Sequence, residues 1–167
     1  MSEIKYYMYK NDNDYKSTTE LAQGFKDLEK DFYGLKYSKC VGLDTLGAIK
    51  NRYKEDYAEE DGVRIYIGTN AKRKATDITF TFFFIDIKDD NGNVINDRRK
   101  TYDNFCKYIS EGIIYYHDTA RMKQAKLCLL EALKPTEDVF QGSIHYIAAD
   151  FQFTNLWGEC KDITINE

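Results

Sequence analysis

The stretch that most limits the fold is Ile78-Thr79-Phe80-Thr81-Phe82-Phe83-Phe84-Ile85. It is built from aromatic and β-branched residues, which suit a pleated, packed surface and lose side-chain freedom in a helix. Both alternating sets carry Phe or Ile, so the run from Ile78 to Ile87 predicts a central strand covered on both sides. The order of elements from Thr76 to Trp157 follows from it. Asp89-Asp90-Asn91-Gly92-Asn93 is a polar loop whose Asn-Gly step suits a tight turn. Tyr102, Phe105, Cys106 and Ile109 stand at offsets 0, 3, 4 and 7, one face of a helix over 99–110 that Glu111-Gly112 ends.

Beyond that helix the spacing changes to a period of two. Ile113–Tyr116 predicts a strand, His117-Asp118-Thr119-Ala120 its turn, and Arg121–Leu133 the return strand. Ala125, Leu127 and Leu129 share one face of the return strand, Cys128 and Leu130 the other. Pro135–Gly142 reads as a loop. Ile144–Trp157 is a closing strand with Ile147, Ala149, Phe151 and Phe153 on its dry face. Asp162–Ile165 is a short final strand.

Upstream, Tyr6-Tyr7-Met8-Tyr9 is either a short strand or an arm that orders on a neighbour. Ser17–Phe32 predicts a helix: Ser17-Thr18-Thr19-Glu20 fits a capping box, and Leu21, Phe25, Leu28 and Phe32 fall on one face. Leu35–Val41 and Val63–Ile67 predict strands on either side of 46–57, which fits a helix and a strand equally well. The resulting division is an N-terminal arm and helix over 1–33 and a strand-rich domain over 34–167.

Composition narrows the function. Aromatic residues make up 15% of the 167, and with a single proline, Pro135, few loops are pinned. That excludes a disordered chain. A net charge of −4 argues against sequence-independent nucleic-acid binding, which depends on excess cations. The basic spots Lys72-Arg73-Lys74 and Arg98-Arg99-Lys100 read as solvated loop charge, or as a patch for an acidic neighbour. Met1-Ser2-Glu3 opens no signal peptide, and no stretch reaches the roughly 18 apolar residues of a membrane anchor. Cys40, Cys106, Cys128 and Cys160 show no zinc or redox spacing and read as free thiols of a cytoplasmic chain.

Catalytic chemistry is nearly silent. His117 and His145 belong to no His-Glu-x-x-His pattern, and His117 reads as part of a polar hairpin tip. Gly142-Ser143 lacks the nucleophile elbow, and Gly68-Thr69-Asn70 has no phosphate-loop frame. The Asp89–Asn93 loop lacks the ligand spacing of a calcium site. No enzyme, cofactor or metal follows. A strand-rich chain of this kind commonly works by assembling, since open strand edges recruit neighbours.

Ala75–Gly158 resembles the ring-forming tail proteins of long-tailed bacteriophages, nearest to the β-sandwich domain of distal tail proteins and tail tube subunits. The stretches that carry the resemblance are Thr76–Phe84, Tyr102–Ile109, Ile114–Leu129 and Asp150–Gly158. It implies a two-sheet antiparallel β-sandwich with a flanking α-helix. It further implies a virion structural protein that forms a hexameric ring at the tube or the tube end of the baseplate. Its partners would be copies of itself, adjacent tail proteins, and DNA passing through without specific binding. Asp86, Asp89 and Asp90, with Lys72, Arg73 and Lys74, are then candidate interface or lumen residues. Two other readings stand beside it. One is a monomeric β-sandwich module that binds a carbohydrate or peptide through exposed tyrosines. The other is a small enzyme using His117 or His145.

Overall fold

The computed structural model describes residues 6–10, 24–50, 53–56, 63–66, 72–140 and 144–163, and the side chains of most of them. The fold is mainly β, antiparallel throughout, with one long flanking helix. Its centre is β6 (Thr76–Ile85), hydrogen-bonded to β12 (Ile144–Asn155) on one side and to β3 (Leu35–Val41) on the other. Beyond β12 follow β10 (Lys123–Ala132), β9 (Ile113–Asp118), β1 (Tyr6–Tyr9) and the two-residue β2 (Lys26–Asp27). β11 (Thr136–Phe140) pairs with the first half of β12, and β13 (Lys161–Asp162) with the start of β10.

Layering comes from this one continuous sheet curling over its own inner face. Tyr6 on β1 stacks on Tyr37 of β3 with ring centroids 4.0 Å apart, although four strands lie between them along the sheet. Phe80 on β6 meets Tyr116 of β9 at 4.8 Å. Period two places Ile78, Phe80, Phe82 and Phe84 on the inner face, and all four are fully buried. Each such side chain contributes about 1.5–3 kcal/mol by leaving water. The opposite face of β6 is only partly covered, so central placement holds but burial on both sides does not. Thr79, Thr81 and Phe83 lie there, and Thr81 donates to Asp150 at 2.5 Å.

Helix α2 (Arg98–Ser110) fills the remainder of the inner face. Its N-cap is Asp97, whose carboxylate accepts from the Arg99 and Lys100 amides. Phe105 is its plug, packed against Phe82 at 5.1 Å, Phe151 at 5.3 Å and Phe32 at 5.2 Å.

Three further expectations change. The helix over Ser17–Phe32 does not continue through its described part; 17–23, with the proposed capping box, lies outside the described residues. Gly24 takes a left-handed φ of +78°, Lys26–Asp27 pairs with β1, and the helix α1 is limited to Leu28–Asp31. Asp27 caps it, and Leu28 and Phe32 reach the core. The helical spacing of Phe25 with Leu28 and Phe32 therefore joined two elements. Pro135–Gly142 is not wholly loop, because Thr136–Phe140 returns along β12 as β11. His117 is not at a hairpin tip but inside β9, 2% exposed, and the turn begins after Asp118. Tyr6–Tyr9 takes the strand alternative, and Tyr53–Asp56 settles part of the ambiguous 46–57 segment as strand.

Candidate assembly surface

Two hairpin arms leave opposite ends of β6. The lower arm spans 47–74. Its stem is closed by Lys50 N donating to the Lys72 carbonyl and Lys74 N to the Ala48 carbonyl, both at 2.7 Å. Further out, β4 (Tyr53–Asp56) and β5 (Val63–Tyr66) pair only with each other among the described residues. The arm is rooted where Gly47 N donates to the Gly158 carbonyl at 2.7 Å. A Cβ on Gly47 or Gly158 would overlap the Lys74 carbonyl oxygen, so the close approach requires glycine at both places. Arg73 closes the root, donating to the Gly47 carbonyl at 3.0 Å and to Glu159 at 2.8 Å. Lys72 and Lys74 are exposed on either side of it.

The upper arm is a hairpin of β7 (Ile87–Lys88) and β8 (Val94–Asn96). Asp89 builds its turn. Its carboxylate accepts from the Asn91 and Asn93 amides at 2.9 and 2.8 Å, and Gly92 takes φ +84°. Those bonds, from the Asn93 backbone and side chain foremost, hold the Asp89 carboxyl below its usual range. Asp90 is exposed at the tip. Val94 and Ile95 are 51% and 64% exposed, an apolar pair on an arm that does not fold back on the sheet.

Asp86 sits at the root of this arm and faces inward. Its carboxylate accepts from the Arg98 amide at 2.9 Å and from the Arg98 guanidinium at 2.6 Å. Of the six residues singled out by sequence, Asp89 and Asp90 share the upper arm and Lys72, Arg73 and Lys74 share the lower, while Asp86 and Arg73 are engaged within the chain. Asn96 was missed. It donates to the Tyr33 carbonyl and to Thr101 Oγ1 (2.7 Å), tying arm, β3 turn and helix together. An Asn directly before the Asp N-cap of a helix was the available signal.

Among the described residues four strands of the sheet, β2, β3, β11 and β13, each have a single neighbour, and β3 and β11 are the two that bound the strip around β6. β3 borders only β6, and β11 borders only β12. Across the strip β3-β6-β12-β11 every neighbour is antiparallel, so β3 and β11 run in opposite directions. The outer face of this strip carries Lys36 and Lys39, Asp77 and Asp150, with Thr79, Thr81, Gln152 and Thr154 between them, and an apolar set of Val41, Phe83, Ile85 and Tyr146.

Nothing in this arrangement favours nucleophilic chemistry. Burial pushes the Cys40 thiol up to about 12 and Cys160 to about 11. His117 Nε2 lies 2.9 Å from the Tyr9 hydroxyl, and burial lowers its pKa to about 4. The side chain of His145 lies outside the described ones. Among the described residues no three His, Cys, Asp or Glu side chains group as metal ligands, and no helix is long and apolar enough to cross a membrane.

No family model matches the chain, and no curated protein matches its sequence. Solved structures do match in fold. A chain of the phage P2 baseplate, in its activated conformation with calcium, superposes with a TM-score of 0.51 over 89% of this chain at 11% identity. The Dit protein of phage SPP1, described as a paradigm of the hub adsorption apparatus in phages that infect Gram-positive bacteria, superposes with a TM-score of 0.43 over 76% at 13% identity. The matches span 43% and 46% of those chains, so this protein covers less than half the length of either.

Proposed function

We propose that this protein is a structural component of a phage or prophage tail that assembles with copies of itself into a ring around the DNA channel. The observation that carries the reading is the strip β3-β6-β12-β11 with its two open edges. A strip of four alternating strands has edges of opposite direction. Rotation about an axis along the strands therefore brings β11 of one copy beside β3 of the next as an antiparallel pair, and repeating the step closes a ring. The fold shared with a P2 baseplate chain supports the setting.

The outer face of the strip then lines the channel. On β3, β6 and β12 its two lysines are offset by two aspartates among hydroxyl, amide and apolar side chains, and the whole chain is at −4. Such a wall releases few counterions from DNA and holds it weakly, which suits a passage. Asp89 and Asp90 on the upper arm, and Lys72 and Lys74 on the lower, reach adjacent copies or adjoining tail proteins. Asp86 and Arg73 act by fixing the roots of the two arms.

Light scattering after size-exclusion chromatography, with negative-stain images of the same peak, tests this. Rings of defined subunit number, hexameric by this reading, are the expected result. A monomer at every concentration, alone and mixed with the adjoining tail proteins, would sink it.

A further inference from the structure

A cleft of about 320 Å³ opens where the α1–β3 turn, the end of β8 and the first half of α2 meet. It is lined by Asp31, Phe32, Tyr33, Asn96, Thr101 and Asn104. We infer that this cleft is a binding site for a neutral saccharide unit, a function separate from ring formation. Four features of the lining lead there. Its polar groups are amides, a hydroxyl and a carboxylate, the donor and acceptor types that pair with sugar hydroxyls. The Asn104 side chain is exposed and makes no hydrogen bond within the described part of the chain, and Asn96 spends its Nδ2 on Tyr33 and Thr101 while its Oδ1 is left to accept. Phe32 is buried against Phe105 and Tyr108, so the floor is rigid. Tyr33 is 55% exposed beside the cleft, an open aromatic ring whose negative face suits the polarised C–H face of a sugar.

The same chemistry excludes other ligands. No Lys or Arg lines the cleft, and its one carboxylate, Asp31, is already paired with Lys26 at 3.6 Å and with the Asp27 amide, so the lining offers a phosphate or an acidic sugar no cation. The lining is too polar for a lipid chain, and the volume lies at the small end for a pocket, enough for one ring rather than a long polymer segment. The site is also preorganised: Asn96 and Thr101 are fixed by their bonds to the Tyr33 carbonyl, so little ordering is lost on binding.

The test uses the full chain with the methyl glycosides of glucose, galactose, N-acetylglucosamine and rhamnose, read by saturation-transfer NMR and by amide shifts. Glycerol phosphate serves as the anionic probe. At least one glycoside should bind, weakly, with shifts at the Asn104 and Tyr33 amides. Asn104→Ala and Tyr33→Ala should each weaken it about fivefold or more, with melting temperature unchanged because both side chains are exposed. Three results overturn the inference: no glycoside binds, binding survives both substitutions undiminished, or glycerol phosphate occupies the same residues.

Discussion

His117 shows how one buried residue ties distant parts of this chain to solution conditions. It lies in β9 with its ring edge-on to Tyr9 of β1 and its Nε2 2.9 Å from the Tyr9 hydroxyl. Burial lowers its pKa from 6.5 to about 4, and the neighbouring Gln124 side chain pulls weakly the other way. The unfolded chain therefore binds a proton below pH 6.5 that the folded chain refuses until about pH 4. Stability must fall as pH drops through that window, by about 3 kcal/mol in total. The depressed carboxyls of Asp89 and Glu111 act in the same direction but lower, since their stabilisation is lost only as pH falls through their own folded values. Urea denaturation from pH 7 to pH 4 should show the loss, and His117→Gln should flatten the profile above pH 4.5. An unchanged slope in that variant would remove His117 as the cause.

At the scale of elements, what the sequence made legible depended on whether local signals agreed. In α2 the Asp97 cap, the spacing of Phe105 and Ile109 and the Glu111-Gly112 stop all point the same way, and the helix was found to within a residue. The strands β6, β9 and β12 were found as strands with ends misplaced by two residues. The region around Phe25 failed because Phe25, Leu28 and Phe32 mimic one helical face while Gly24 and the pairing of Lys26–Asp27 with β1 break it. Pairing is a tertiary fact that spacing does not contain. The upper arm was legible only as a loop, because a hairpin that pairs with itself away from the core has no dry face to mark it, whereas in the lower arm the alternation of Val63–Ile67 marked the strand β5 and 46–57 stayed open between helix and strand. The root of the upper arm was hidden for a related reason: Asp86 and Arg98 stand 12 residues apart and are joined only by the fold. Their contact is 2.6 Å and about four-fifths shielded. Asp86→Ala strands a guanidinium whose Nε already lacks a partner. We expect a loss of about 2–4 kcal/mol by denaturant titration. A loss below 0.5 kcal/mol would show that the pair is not what holds the arm.

For the whole molecule the question is which contacts close a ring, the strand edges or the charged arms. These predict different sensitivities. Backbone hydrogen bonds between β3 and a neighbour's β11 are little affected by salt, whereas contacts among Lys72, Lys74, Asp89 and Asp90 weaken once the Debye length falls to about 3 Å near 1 M. Within one subunit β3 is bulged: Tyr37 faces Phe82 and Lys39 faces Thr81, leaving Ser38 without a partner on β6. Ser38 is exposed, so proline there removes an edge donor and adds a ring at the bulge while the β3–β6 ladder stays paired on either side. A protomer that keeps its melting temperature within about 5 °C, a shift equivalent to roughly 1–2 kcal/mol, can be taken as folded. If edges close the ring, Ser38→Pro gives folded monomers, and wild-type rings persist in 1 M salt. If the arms close it, the proline variant still forms rings, and salt or the double substitution Lys72→Glu with Lys74→Glu disperses them. Light scattering on the three proteins at low and high salt separates the two. We expect the edge result, because the opposed directions of β3 and β11 are set by the sheet itself, whereas at the upper tip Lys88 cancels part of the charge of Asp89 and Asp90.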